Sequence, residues 1–167
     1  MRNFMKYFII LLFLISFSFA QESQKLIIDA KNFETDDKKG ISVFTGNVKL
    51  TLGTDKLSAN KLEVYVNTNT SSNSKKPFRY VAIGEVKFDI NSNGKHYTGN
   101  GNKVIYNPIK QEYIVMGKGY IKETVEEREI YADKIFINQL TGSAKVSGSD
   151  EKPVRFILNI DNSGKAQ

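Results

Sequence analysis

The chain has no cysteine, no tryptophan, one histidine and three prolines in 167 residues. Without cysteine there are no disulfide staples, no thiol nucleophile and no cysteine-ligated zinc, so an exported domain of this size must be held by packing and hydrogen bonds. A lone His96 has no His, Asp or Glu partners at a spacing that suits a metal site or a nucleophile relay, and it reads as a satisfied or surface histidine. The carboxylate pairs Asp36-Asp37 and Glu126-Glu127 lie in polar, charge-mixed stretches and read as solvated turns rather than a glycosidase pair. Gly99-Asn100-Gly101 lacks the strand-to-helix context and the later glycine of a phosphate-cradling loop. Tyr65, Tyr97 and Tyr106 sit near lysines but form no basic aromatic platform of the RNA-binding kind, so no nucleic-acid partner is expected. Neither an enzyme nor a cofactor is indicated, which leaves binding or structure.

Long apolar runs are also missing, with one exception at the start. Arg2 and Lys6 precede an apolar run from Tyr7 to Ala20, 14 residues ending Ser16-Phe17-Ser18-Phe19-Ala20. A membrane-spanning helix wants about 20 residues. A basic head, a short apolar middle and a small-x-small end have the layout of a secretory signal peptide, with cleavage expected after Ala20. Residues 1–20 hold two of the 24 Lys and Arg and none of the 18 Asp and Glu, so the remainder keeps a mild positive excess of four. That excess suits anionic partners.

What the rest of the chain has in plenty is alternation. In Phe44-Thr45-Gly46-Asn47-Val48-Lys49-Leu50-Thr51-Leu52, the residues Phe44, Val48, Leu50 and Leu52 share one face and the polar residues the other. The pattern returns in Leu62–Val66 and Gly84–Ile90, and more loosely in Val104–Tyr106 and Ile135–Ile137, between turn clusters such as Asp36–Gly40, Gly53–Asp55, Asn91–Gly94 and Asn107-Pro108.

These strands form an internal repeat. A small residue, two polar positions and an apolar one recur at Ala30-Lys31-Asn32-Phe33, Ala59-Asn60-Lys61-Leu62, Gly101-Asn102-Lys103-Val104 and Ala132-Asp133-Lys134-Ile135. A glycine follows in the next strand, at Gly46, Gly84, Gly117 and, less regularly, Gly148. The spacing is 16 residues in three copies and 25 in the second, where the low-complexity stretch Asn67–Lys76 reads as a surface insertion. Strand pairs of this kind cannot bury an apolar face singly, so two facing sheets with apolar sides inward are expected. Glycine within strands marks bulges or bends.

The segment Phe44–Val48, the Ala-Asp-Lys-Ile copy at 132–135 with its relatives, and the opening Leu26-Ile27-Ile28-Asp29-Ala30 together resemble the periplasmic lipopolysaccharide-transport proteins of the LptA/OstA-like family, over roughly residues 25–158. The resemblance implies an all-β fold, an open twisted β-jellyroll built from repeated antiparallel strand pairs in two sheets, occupying residues 21–160 ahead of a flexible tail at 161–167. It implies a non-catalytic periplasmic bridge that shields the acyl chains of lipopolysaccharide (its lipid A moiety) and passes them toward the outer membrane. The implied partners are an inner-membrane export component, an outer-membrane translocon and further copies joined head to tail through edge strands. Val154–Leu158 and Leu26–Ile28 are the candidate edges.

Leu26, Ile28, Phe88 and Tyr106 match the family's lipid-lining positions. Val48, Leu50, Leu62, Val64, Val86, Val104 and Ile135 accompany them by alternation. Lys49, Lys61 and Lys87 are expected on the rim, where they would meet phosphates. The alternatives are a sister component that keeps its N-terminal segment as a membrane anchor, an enzyme acting on surface polysaccharide, and a structural β-repeat with no lipid ligand.

Overall fold

The computed structural model describes residues 25–68, 76–92 and 94–160. The expected signal sequence, most of the polar insertion at 67–76 and the C-terminal tail lie outside the described residues. Alternation is realised as ten strands and, among the described residues, no helix: β1 (Leu26–Asp29), β2 (Asn32–Asp36), β3 (Ile41–Leu52), β4 (Asp55–Val66), β5 (Pro77–Ser92), β6 (Lys95–Asn107), β7 (Glu112–Glu123), β8 (Arg128–Asn138), β9 (Ser143–Ser147) and β10 (Arg155–Ile157). All pairings are antiparallel. The order is β1-β3-β4-β5-β6-β7-β8-β10, with β2 beside β1 on β3 and β9 beside β10 on β8.

A single crease divides this sheet. Each of the five pairings between successive long strands from β3 to β8 is interrupted at the same level by a register shift, at 45/48, 58/61, 83/86, 100/103 and 116/119. On β3, β5 and β7 the shift is made by a glycine and its successor, Gly46-Asn47, Gly84-Glu85 and Gly117-Lys118, all with positive φ. Two such residues in succession turn the strand through a corner that a side chain at the first position would resist. A Cβ at Gly84 would stand 2.8 Å from the Asn60 amide, and one at Gly117 would stand 2.8 Å from that of Asn102.

The crease explains the repeat. On the glycine strands the inward residues flanking the corner are four apart (Phe44 and Val48, Ala82 and Val86, Val115 and Gly119), whereas on the facing strands they are three apart (Ala59 and Leu62, Gly101 and Val104, Ala132 and Ile135). Small-polar-polar-apolar is therefore the corner itself: the small residue faces in before the bend, the apolar residue faces in after it, and the two polar ones point out. Gly148 makes no such corner, because β9 has already ended.

Two leaves result. The first contains β1, the β3–β8 halves from Val48 to Ala132, and β10; the second contains β2, the other halves, and β9. Their inner faces form one core around Val48, Leu62, Val86, Val115 and Ile135. This is the open, two-sheet β-jellyroll expected. Four hairpin loops share one build, in which an oxygen-bearing side chain caps the turn and a left-handed residue closes it: Asp36 to Gly40, Asn107 to Gln111, Glu123 to Glu127 and Asn138 to Gly142.

Candidate functional site

Registered rows of inward side chains build the site. In the second leaf, one row runs Phe33, Phe44, Leu62, Ala82, Val104, Val115, Ile135, Val146, crossing every strand from β2 to β9. In the first leaf the matching row runs Ile28, Leu50, Leu57, Phe88, Gly99, Ile121, Ile130, Phe156, from β1 to β10. Apolar rows spanning both leaves from edge to edge make a trough rather than a closed knot.

Between the leaves lies a cavity of about 370 Å³, within the range of small-ligand pockets. Of the expected lining residues, Leu26, Leu50, Leu62, Phe88, Val104 and Tyr106 stand on its wall. Val48, Val86 and Ile135, each 0 % exposed, and the nearly buried Val64 belong to the packed core behind it; Ile28 is half-buried against that core. The wall also includes Leu57, Tyr80, Tyr97, Tyr113, Ile121 and Ile130, which the alternation of shorter or less regular segments did not single out. Phe88 reaches into the cavity across Gly99, its register partner, where any Cβ would collide with its ring.

Tyr80, Tyr106 and Tyr113 are consecutive in one inward row, with ring centroids 6.1 and 4.2 Å apart and near-parallel planes. Burial pushes the Tyr80 and Tyr113 phenols upward, so they remain protonated at neutral pH. They offer an apolar wall with polar tips. At the opening stand Asp55, Lys56, Glu123 and Arg128, and the Gln139 amide donates to the Ser92 hydroxyl, linking the tips of the two leaves.

Among the described residues Glu123 is the one buried charged residue, 4 % exposed. Its carboxylate accepts the backbone N–H groups of Val125 at 2.9 Å and Glu126 at 3.0 Å, with Arg128 at 3.5 Å. Burial pushes this carboxyl up, but the two N–H groups, with Lys95 and Arg128, outweigh it and hold it below its ordinary value.

The lysines expected on the rim are elsewhere. Lys49 and Lys87 face outward in the first leaf and Lys61 outward in the second, where it pairs with Glu63 at 2.8 Å. At the crease, outward positions lie on the opposite side of the sheet from the cavity; sequence alternation alone does not show how far each is from the mouth. His96 is held between Asp89 (2.7 Å) and the Thr124 hydroxyl (3.0 Å), a satisfied structural residue. Among the described residues there is no group of three or more His, Cys, Asp or Glu that would hold a metal.

An apolar, two-leaved trough with tyrosines on one wall and charge only at its mouth suits a long apolar ligand. The family model described as LptA/(LptD N-terminal domain) LPS transport protein matches residues 27–150. The chain belongs to this family. It is thus an LptA-like lipopolysaccharide-transport protein, not an enzyme. Among solved structures it is similar to LptH, "the LptA homologous periplasmic component of the conserved lipopolysaccharide transport device from Pseudomonas aeruginosa", with a TM-score of 0.68 and 16 % identity over 82 % of this chain and 96 % of that one. At that identity the likeness is one of fold. No curated protein matches. In this family setting the inner rows, and not the outward lysines, are the candidate lipid surface.

Proposed function

We propose that this chain is a periplasmic bridge protein that holds the acyl chains of lipopolysaccharide between its leaves and passes them from the inner toward the outer membrane. The observation that carries this reading is the continuity of the inner rows: both run from one sheet edge to the other, and both ends carry exposed apolar side chains. Leu26, Ile27 and Phe33 are exposed at the β1/β2 end; Val154, Phe156, Ile157 and Leu158 are exposed at the β10 end. Free strand edges of this kind invite pairing with another chain. Head-to-tail addition of β10 of one copy to β1 of the next would join one trough to another, and the same edges would dock on the inner-membrane component and the outer-membrane translocon.

Each methylene leaving water for the trough contributes about 0.8 kcal/mol. The sugar and phosphates remain outside, near Lys56 and Arg128 at the mouth. The lining residues we assign to the lipid are Leu26, Leu50, Leu62, Phe88, Val104 and Tyr106, with Leu57, Tyr80, Tyr97, Tyr113, Ile121 and Ile130. A photo-crosslinking residue at Phe88, with Lys49 on the outer face as control, tests the assignment in cells of the native host. Capture of lipopolysaccharide at Phe88 and not at Lys49 is expected. Capture at neither, in folded and exported protein, would overturn lipid carriage.

A further inference from the structure

The corner geometry accounts for the small and apolar positions of the repeat but not for its lysine. Lys61, Lys103 and Lys134 occupy the third position of three copies and lie in one outward row of the second leaf, alternating with Ile83 and Met116. Across the crease, the outward row of the first leaf runs Asp29, Lys49, Ser58, Lys87, Asn100, Tyr120, Tyr131, Arg155. Between the two rows, on the outside of the crease, is a trough of about 760 Å³ lined by Lys31, Lys49, Lys87 and Lys118 with Asn60 and Asn102. Among the described residues none of these four lysines forms an ion pair and neither amide makes a side-chain hydrogen bond. Asp29 and Glu85 line the same trough and leave it with a net positive charge.

We propose that this outer trough is a second binding site, for a carboxylate-bearing glycan strand of the cell wall. Lysines of the second-leaf row recur on every second strand, β4, β6 and β8, and Lys49 and Lys87 of the first-leaf row stand on β3 and β5; the repeat of roughly 10 Å, given the inter-strand distance of a sheet, suits a glycan strand whose disaccharides each carry a carboxylate-bearing stem peptide. Tyr120 and Tyr131 extend the first-leaf row with ring centroids 4.7 Å apart, and Tyr131, 39 % exposed, presents a ring against which a sugar can stack. The free amides suit hydroxyl and acetamido groups. None of the exposed large apolar side chains of the described residues lines the trough, so a lipid surface has nothing to enter it. Its position outside the leaves also separates it from any headgroup whose chains occupy the inner cavity.

The choice of a wall polymer rests on the periplasmic reading; the site chemistry rests on the rows alone. The test is co-sedimentation of the purified protein with purified peptidoglycan sacculi at low salt. Wild type is expected in the pellet, with binding weakened roughly tenfold by K87E combined with K49E. Y131A and amidation of the wall carboxylates should each weaken it too. Circular dichroism and binding of an apolar dye to the inner cavity check that each variant is folded, and K87Q with K49Q replaces the reversal should that fail to fold. Wild type remaining in the supernatant overturns the proposal, as does equal pelleting of wild type and the charge variants. Binding to vesicles of mixed zwitterionic and anionic phospholipid but not to sacculi overturns it in favour of a membrane, and self-association lost in the charge variants without sacculus binding does so in favour of a second copy. No arm uses lipopolysaccharide, so failure here leaves the crosslinking result at Phe88 independent.

Discussion

At Gly99 the absence of a methyl group decides whether the Phe88 ring can cross the neighbouring strand into the cavity. Substituting Gly99→Ala places a Cβ against both that ring and the Tyr120 carbonyl, and overpacking of this sort costs about 1–3 kcal/mol. A urea titration should show that loss, and crosslinking yield at position 88 should fall with it. Glu123 acts at the same scale. With its carboxyl held below the ordinary 4.5, it contributes stability above that pH, and the contribution is lost as pH falls through the lower folded value. Thermal melts are therefore expected to show E123Q destabilised at neutral pH and the gap from wild type narrowing in acid; an unchanged gap would contradict the role. Alternation already placed Phe88 facing inward. It did not disclose Glu123, which takes the capping role that Asp36, Asn107 and Asn138 play in the sister loops but does so from a buried position.

For a strand, the corner is the decisive feature. At Gly84 a side chain meets both a left-handed φ and the Asn60 amide, so Gly84→Ala is expected to cost about 1–2 kcal/mol. Gly142, also left-handed but with open space around it, should cost less on the same substitution; equal losses in chemical denaturation would show that contact at the crease contributes nothing. The terminal strands have a different liability. Phe156 is exposed on β10, whose outer edge has no partner among the described residues. Phe156→Asp is expected to abolish concentration-dependent self-association in sedimentation velocity while the monomer stays folded, because the lost contact lies at the edge of the sheet and outside the buried core.

Over the whole molecule, the proposed lipid carriage is expected to be passive. No phosphate-cradling loop is present in the sequence, so purified protein should equilibrate lipopolysaccharide between vesicles without net direction, and adding ATP should change neither rate nor end point in a fluorescent lipid-transfer assay. On the proposed function, direction would come from a partner. The alternation of Leu50, Leu62, Val86 and Val104 and the fourfold small-polar-polar-apolar repeat determined, by themselves, an all-β chain with one dry face, because period two and turn residues are local properties of the backbone. They did not determine which dry residues form cavity wall and which form core: Val86 and Phe88 share a strand and a face, and only their distance from the crease separates them. Nor could they place the lysines. Lys61 is one residue from Leu62, and whether it stands at a mouth or on the far side of a bend depends on facing strands spending three residues where their neighbours spend four, a difference that exists only once the strands are paired.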